Sequence, residues 1–218
     1  MAARTKRFIA IAGNIGVGKS TLTGLLAQRL GWQPFYEAVD DNPYLADFYA
    51  DMARWSFHSQ VFFLSRRLQH HRHILDQPQS AIQDRSVYED AEIFAANLQR
   101  QGRMSERDYA TYRSLYEGIN LFLPPPDLLV YLRASVPTLT KRIAMRGRAF
   151  ERDIDPDYLV QLNSLYEAWV TRFTLCPVLT VPADDLDFVW HTPHLELIIQ
   201  KIEERLSGKE VVRFEVQD

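Results

Sequence analysis

The chain has 218 residues, 46% of them hydrophobic and 24% charged, and a net charge of −3. That length and composition suit one folded globular domain, 1–218, and exclude disordered and fibrous classes. The near-balanced charge gives no ground for nucleic acid or an anionic membrane as partner. The lone cysteine, Cys176, rules out an internal disulfide, and no apolar run approaches the ~18 residues of a membrane span.

In chain order, short apolar runs alternate with long amphipathic ones. A basic start, Arg4-Thr5-Lys6-Arg7, leads into the first predicted strand, 7–12. That apolar run is too short for a signal peptide and runs straight into a Gly-rich turn, so the expected compartment is the cytoplasm. A helix over 19–30 follows, then a strand over 33–37 and a long helical segment over about 43–75. The remaining strands fall at 80–84, 127–133 and 177–182, and the remaining helices at 88–101, 105–122, 137–147, 156–173 and 192–206. Gly31, Pro78, Pro124-Pro125-Pro126 and Pro177 punctuate the strand starts. This alternation predicts an α/β fold with a parallel sheet and helices on both faces. Ligands on such a sheet gather at the carboxyl ends of the strands.

The first strand ends in Gly13-Asn14-Ile15-Gly16-Val17-Gly18-Lys19-Ser20, a complete P-loop in the strand–turn–helix setting that gives the motif its meaning. Gly13, Gly16 and Gly18 allow a tight turn whose N–H groups approach phosphate oxygens. The helix N-terminus behind them adds partial positive charge. Lys19 is placed to reach the β- and γ-phosphates and Ser20 to offer its hydroxyl to Mg²⁺. Asn14 and Thr21 complete the expected phosphate-binding set. The chain therefore binds a nucleoside triphosphate, and the open question is where the γ-phosphoryl group goes.

The second strand runs up to Glu37 and the third to Asp84-Arg85-Ser86. A carboxylate near a γ-phosphate can act as general base or help hold Mg²⁺, and an arginine beside it can clamp the hydroxyl or the phosphoryl group. Between Lys141 and Arg152 lie Arg142, Arg146 and Arg148, with Gly147 at an expected helix end. A basic lid over phosphates, at about 141–152, fits that run. On the long helical segment, Gln60, Phe63 and Arg67 share one face, and Tyr49 joins them if the helix is unbroken. Asp90 and Phe94 are one turn apart on the next helix. An amide, an aromatic plane and an Arg–Asp pair can hold a nucleobase, but an interhelical core with a structural ion pair has the same spacing. His70, His71 and His73 lack the spacing of a helical zinc site and are expected at a solvated helix end.

These residues together resemble the deoxynucleoside kinase family. The resemblance rests on the P-loop, Glu37, Arg54-Trp55-Ser56-Phe57 with Gln60 behind it, Asp84-Arg85-Ser86, and Arg142-x3-Arg146-Gly147-Arg148. The stretch from Glu37 to Leu45 looks like the bacterial deoxyadenosine kinase branch. The resemblance implies a P-loop kinase fold with a five-stranded parallel sheet, an arginine lid and a homodimer. It implies ATP as phosphate donor with Mg²⁺, and a deoxynucleoside as substrate. Glu37 then matches the general base on the 5′-hydroxyl, Arg85 the group holding that oxygen, and Arg146 a lid arginine acting on the transferred group. Ser20 and Asp84 match the Mg²⁺ positions, and Tyr49 and Glu151 the pair on the 3′-hydroxyl. Gln60 matches the amide that reads the base and Phe94 the ring stacked on it, with Ile15 and Phe63 also against the substrate. Arg67 and Asp90 match a pair found in members that take deoxycytidine and purine deoxynucleosides. Ala38 stands where the family often has Pro, and Ser59 where many members have an aromatic residue.

The expected reaction is phosphorylation of a deoxynucleoside 5′-hydroxyl, with deoxyadenosine first and deoxycytidine or deoxyguanosine possible. A nucleoside monophosphate kinase of thymidylate kinase type shares several of these motifs, and a non-catalytic P-loop binding module shares one. Glu37 speaks against the former, because a phosphate acceptor arrives already ionised and needs no base. The base-pocket residues speak against the latter.

Overall fold

The computed structural model describes residues 6–37, 41–148, 151, 154–210 and 212–214. Arg4, Thr5, Ala38 and Arg152, named above, lie outside them. Five strands form one all-parallel sheet in the order β2-β3-β1-β4-β5: β1 Phe8–Gly13, β2 Gln33–Phe35, β3 Ala81–Asp84, β4 Leu128–Arg133 and β5 Val178–Pro182. β1 is central and all six of its residues are buried, which is why it reads as an unbroken apolar run. Its side chains alternate. Ile9 and Ile11 pack into a core with α1 (Lys19–Leu30), α7 (Val136–Arg146) and α9 (Thr192–Leu206). Ala10 and Ala12 face a second core built from α3 (Met52–Asp76), α6 (Glu106–Asn120) and α8 (Pro156–Arg172). Pro34 sits in β2, an edge strand bonded only to β3, where a missing N–H donor is tolerated.

Four expectations change. The helix predicted over 43–75 is two helices, α2 (Leu45–Ala50) and α3. The backbone leaves helical geometry at Asp51 (φ −145°, ψ 83°), whose carboxylate accepts the Arg54 N–H and caps α3. Tyr49 and Gln60 therefore do not share a helix face. The second strand stops at Phe35, so Glu37 stands two residues beyond it.

The helix predicted over 88–101 is a composite of α4 (Val87–Glu89), a π-helical turn over Asp90–Ala95 and α5 (Ala96–Arg100). Such wide turns recur at functional sites; this one carries both Asp90 and Phe94. The histidine cluster is also less solvated than expected. His71 is buried, with Nε2 2.9 Å from the Pro124 carbonyl and its ring edge-on to Phe8. His70 and His73 pack against Phe35.

Candidate active site

The carboxyl ends of β1, β2 and β3 open onto a cavity of about 900 Å³. The P-loop forms its floor. Gly18 caps α1 in left-handed geometry, and Gly16 has φ +82°. A Cβ on Gly16 would stand 2.6 Å from Ile143 and one on Gly13 2.7 Å from the Leu132 carbonyl, so these two positions admit glycine alone. Lys19 Nζ donates to the Gly13 and Asn14 carbonyls at 2.9 and 3.0 Å. Burial, reinforced by Arg85, pushes its pKa down to about 8. Asn14 serves the loop's frame: its amide nitrogen donates to the Leu159 carbonyl (3.0 Å) and Asn163 (2.7 Å), tying the loop to α8.

Glu37 Oε1 lies 2.7 Å from Arg67 Nη2 and 2.8 Å from Arg85 Nε. Burial alone would raise the Glu37 pKa, but Arg85, then Arg67 and Lys19, overcome it and hold the carboxyl at about 2. Arg85 is the one described non-glycine residue with positive φ, +66°. Its N–H donates to the Ile11 carbonyl at 2.9 Å, and its guanidinium lies 4.3 Å from the Phe94 ring. Ser20 Oγ donates to Asp84 Oδ2. Asp84 Oδ1 has no hydrogen-bond partner among the described residues, although the side chain is wholly buried. Burial raises the Asp84 pKa against the pull of Lys19. A hydroxyl beside a carboxylate oxygen without a partner is a donor set suited to Mg²⁺.

The walls carry the predicted substrate residues. Ile15, Glu37, Tyr49, Gln60, Phe63, Arg85, Asp90, Phe94 and Glu151 all line the cavity. Gln60 is buried and its Oε1 finds no partner among the described residues. Asp90 is buried at the wall, and burial lifts its pKa to about 6 despite Arg67 and Arg85. Arg67 is placed differently. Its side chain is 2% exposed, and its donors go to Asp90 (3.1 Å), the Asp84 carbonyl (3.0 Å) and Glu37 (2.7 Å). It stands behind the wall and holds Glu37 and Asp90 from there. Ser59, in place of an aromatic, is buried and accepts a hydrogen bond from Asn42 at 3.2 Å. That bond pins the chain segment entering α2.

On the other side, Thr21, Lys141, Arg142, Arg146 and Arg148 line the same cavity. Arg142 donates to the Val17 and Ala183 carbonyls, both at 2.9 Å, which anchors α7 to the P-loop. Arg146 donates to Glu151 at 3.0 and 2.6 Å, and Arg148 Nη1 lies 3.5 Å from the same carboxylate. Gly147, at φ +68°, ends α7 as expected.

Sequence reasoning missed two groups. Phe188 and Trp190, beyond β5, also line the cavity, Phe188 beside Gly18 of the P-loop; the rule that ligands collect after strand ends points there. Glu89 is fully buried among the site residues. The spacing Ser86-x-x-Glu89 is a capping box, which could have flagged it, and both reciprocal bonds are present.

A P-loop at the head of a parallel sheet, with a carboxylate and an arginine at the ends of neighbouring strands, defines a P-loop phosphotransferase. Residues 9–207 match the family model for deoxynucleoside kinase. The chain belongs to that family and is a deoxynucleoside kinase. It is 42% identical over 196 residues to the deoxyadenosine/deoxycytidine kinase of Bacillus subtilis, covering 89% of this chain and 90% of that one. It is 38% identical over 208 residues to the deoxyguanosine kinase of the same organism, covering 92% and 98%. A solved structure of deoxyadenosine kinase from M. mycoides with bound dATP superposes with a TM-score of 0.81 at 32% identity, covering 90% of this chain and 99% of that one.

Proposed function

We propose that the chain, as one domain, transfers the γ-phosphoryl group of ATP to the 5′-hydroxyl of a deoxynucleoside, deoxyadenosine before deoxycytidine or deoxyguanosine. The observation that carries this reading is Glu37, a carboxylate held by two arginines on the wall of the cavity that the P-loop floors. Glu37 takes the 5′-hydroxyl proton and Arg85 holds the oxygen. A base held this low accepts the proton late, as bonding to phosphorus makes the hydroxyl acidic. That timing suits the loose transition state of phosphoryl transfer. Lys19 and the lid arginines Arg146 and Arg148, with Arg142 as the lid's anchor, supply positive charge to the phosphate oxygens. Ser20 and Asp84 would hold Mg²⁺, which neutralises charge on the β- and γ-phosphates when bound.

The choice of base rests on Gln60 and Asp90. An ionised Asp90 accepts from an exocyclic amino group, as adenine and cytosine present, and repels the keto oxygen of thymine. The name of the Bacillus subtilis relative, with both deoxyadenosine and deoxycytidine in it, supports both as substrates. Tyr49 and Glu151 take the 3′-hydroxyl. A cytoplasmic homodimer belongs to the same reading, and Leu121 and Phe122, exposed at the end of α6, offer apolar surface for it. Among the described residues no helix is long and apolar enough to cross a membrane.

The test is incubation with labelled ATP and Mg²⁺ against the four deoxynucleosides and their monophosphates. The expected result is 5′-monophosphate formation, fastest with deoxyadenosine. Product from monophosphates only, or from none of them, overturns the proposal.

A further inference from the structure

Glu89 is wholly buried, yet nothing in the reaction described above uses it. As the acid of a capping box it needs only one oxygen, and Oε2 fills that role with the Ser86 N–H at 2.8 Å and Ser86 Oγ at 3.1 Å. The other oxygen is committed elsewhere. Oε1 accepts the Gly13 N–H at 3.1 Å and the Tyr166 hydroxyl at 2.8 Å. Tyr166 in turn accepts from Arg85 Nη1 at 3.0 Å, and its oxygen is 2.9 Å from the Gly13 carbonyl. With one proton to give, the phenol favours the charged acceptor, Glu89. The Gly13 carbonyl is also an acceptor for Lys19.

One buried pair, from α4 and α8, thus touches the peptide that holds the phosphate-side cation and the guanidinium that holds the acceptor side. Arg85 needs such a restraint. Its positive φ is a conformation that a non-glycine residue keeps only where its surroundings over-determine it. We propose that Glu89 and Tyr166 are positioning residues that fix Lys19 and Arg85 relative to each other, so that phosphate and hydroxyl meet in line. This rests on the kinase reading above.

The test uses Tyr166→Phe and Glu89→Gln in the full chain, with ATP and the best deoxynucleoside. Phenylalanine keeps the ring and its stacking on Tyr131 (centroids 5.6 Å apart, planes at 15°), so that variant is expected to fold. Small misplacements of reacting groups cost up to about 100-fold in rate, so kcat per competent site should fall about 10- to 100-fold in each. The nucleoside KM should move less than about threefold, because the defect lies in alignment for transfer. A merely structural role would lower the number of competent sites, counted by nucleoside-binding titration, and leave kcat per site intact. In an Arg85→Lys background, which removes the guanidinium, Tyr166→Phe should cost less than it does in the unaltered enzyme, since one of its two sides is gone. If Glu89→Gln does not fold, Tyr166→Phe decides alone. A kcat per site within about threefold of the unaltered enzyme in Tyr166→Phe overturns this inference and spares the kinase reading. No transfer by the unaltered enzyme overturns both.

Discussion

Replacing Arg67 by methionine should unsettle the site from behind the cavity wall. The side chain is 2% exposed and gives its hydrogen bonds to two carboxylates and a carbonyl. Methionine fills much of the volume but leaves Asp90 buried without its counter-ion, while Glu37 keeps Arg85 at 2.8 Å. Breaking a buried pair from one side costs about 3–5 kcal/mol, a large part of the roughly 5–15 kcal/mol that holds a domain together. At about 2–4 °C per kcal/mol for this size, Tm should fall by roughly 6–20 °C. Adding Asp90→Ala removes the stranded charge, so the double variant should melt higher than Arg67→Met alone. The lost Asp90 acceptor is a hydrogen bond to a charged group, worth about 1.5–3 kcal/mol. Deoxyadenosine kcat/KM in the double variant should therefore drop about 10- to 150-fold. Thymidine, no longer facing a carboxylate, should become measurable as a substrate. Thermal melts by circular dichroism and kcat/KM on four deoxynucleosides read both effects. An Arg67→Met protein as stable as the unaltered one refutes the counter-ion argument, and an unchanged base ranking in the double variant refutes the specificity argument.

Glu37→Gln keeps the shape and removes the base, so kcat should fall by about 10²–10⁴ with nucleoside affinity little changed; a change of only a few-fold in stopped-time assays would exclude Glu37 as the base. Lys19 sits near pKa 8, and a triphosphate favours its charged form. ATP binding near pH 8.5 should then take up protons, seen by calorimetry in buffers of differing ionisation heat. Observed heats that do not change with the buffer's ionisation heat would refute this. Asp90 is ionised above about 6 and protonated below it, so deoxyadenosine kcat/KM should decline as pH falls through that value. Glu37, held at about 2, does not titrate there; His70 and His71 do not face the cavity, and Asp90→Asn should abolish the break if Asp90 causes it. Arg146→Ala should lower kcat and kcat/KM together, as for a contact made mainly in the transition state; a pure rise in nucleoside KM would place Arg146 in substrate binding.

The strands and P-loop were legible because their signals are local. An apolar run such as Phe8–Ala12 can only be a buried strand when a Gly-rich turn follows it. The break at Asp51 was not legible, since a cap inside an amphipathic stretch looks like any polar residue on a solvated face. The place of Arg67 was not legible either. Periodicity put it on the same helix face as Gln60, which is true, yet it cannot say which of two neighbours reaches a cavity and which supports the wall. Glu89 was hidden for a related reason: its capping-box spacing is local, but its second oxygen serves Gly13 and Tyr166, 76 and 77 positions away.

Buried charge explains why so much of this supporting structure is needed. Lys19, Arg67 and Arg85 stand close to Glu37, Asp84, Glu89 and Asp90, with all but Glu37 buried. A triphosphate adds negative charge to the Lys19 side, where Asp84 and Glu37 already lie. Of the cations on the cavity's other wall, Arg146 and Arg148 are held by Glu151. Glu151 is buried while both arginines are about one-third exposed, so in the proposed reaction an arginine turning toward phosphate would leave the carboxylate covered. The Glu151 oxygens released from that arginine would then be open to the 3′-hydroxyl proposed above. On the reading proposed above, that exchange would charge the phosphate side and ready the sugar side together, through one carboxylate and two arginines.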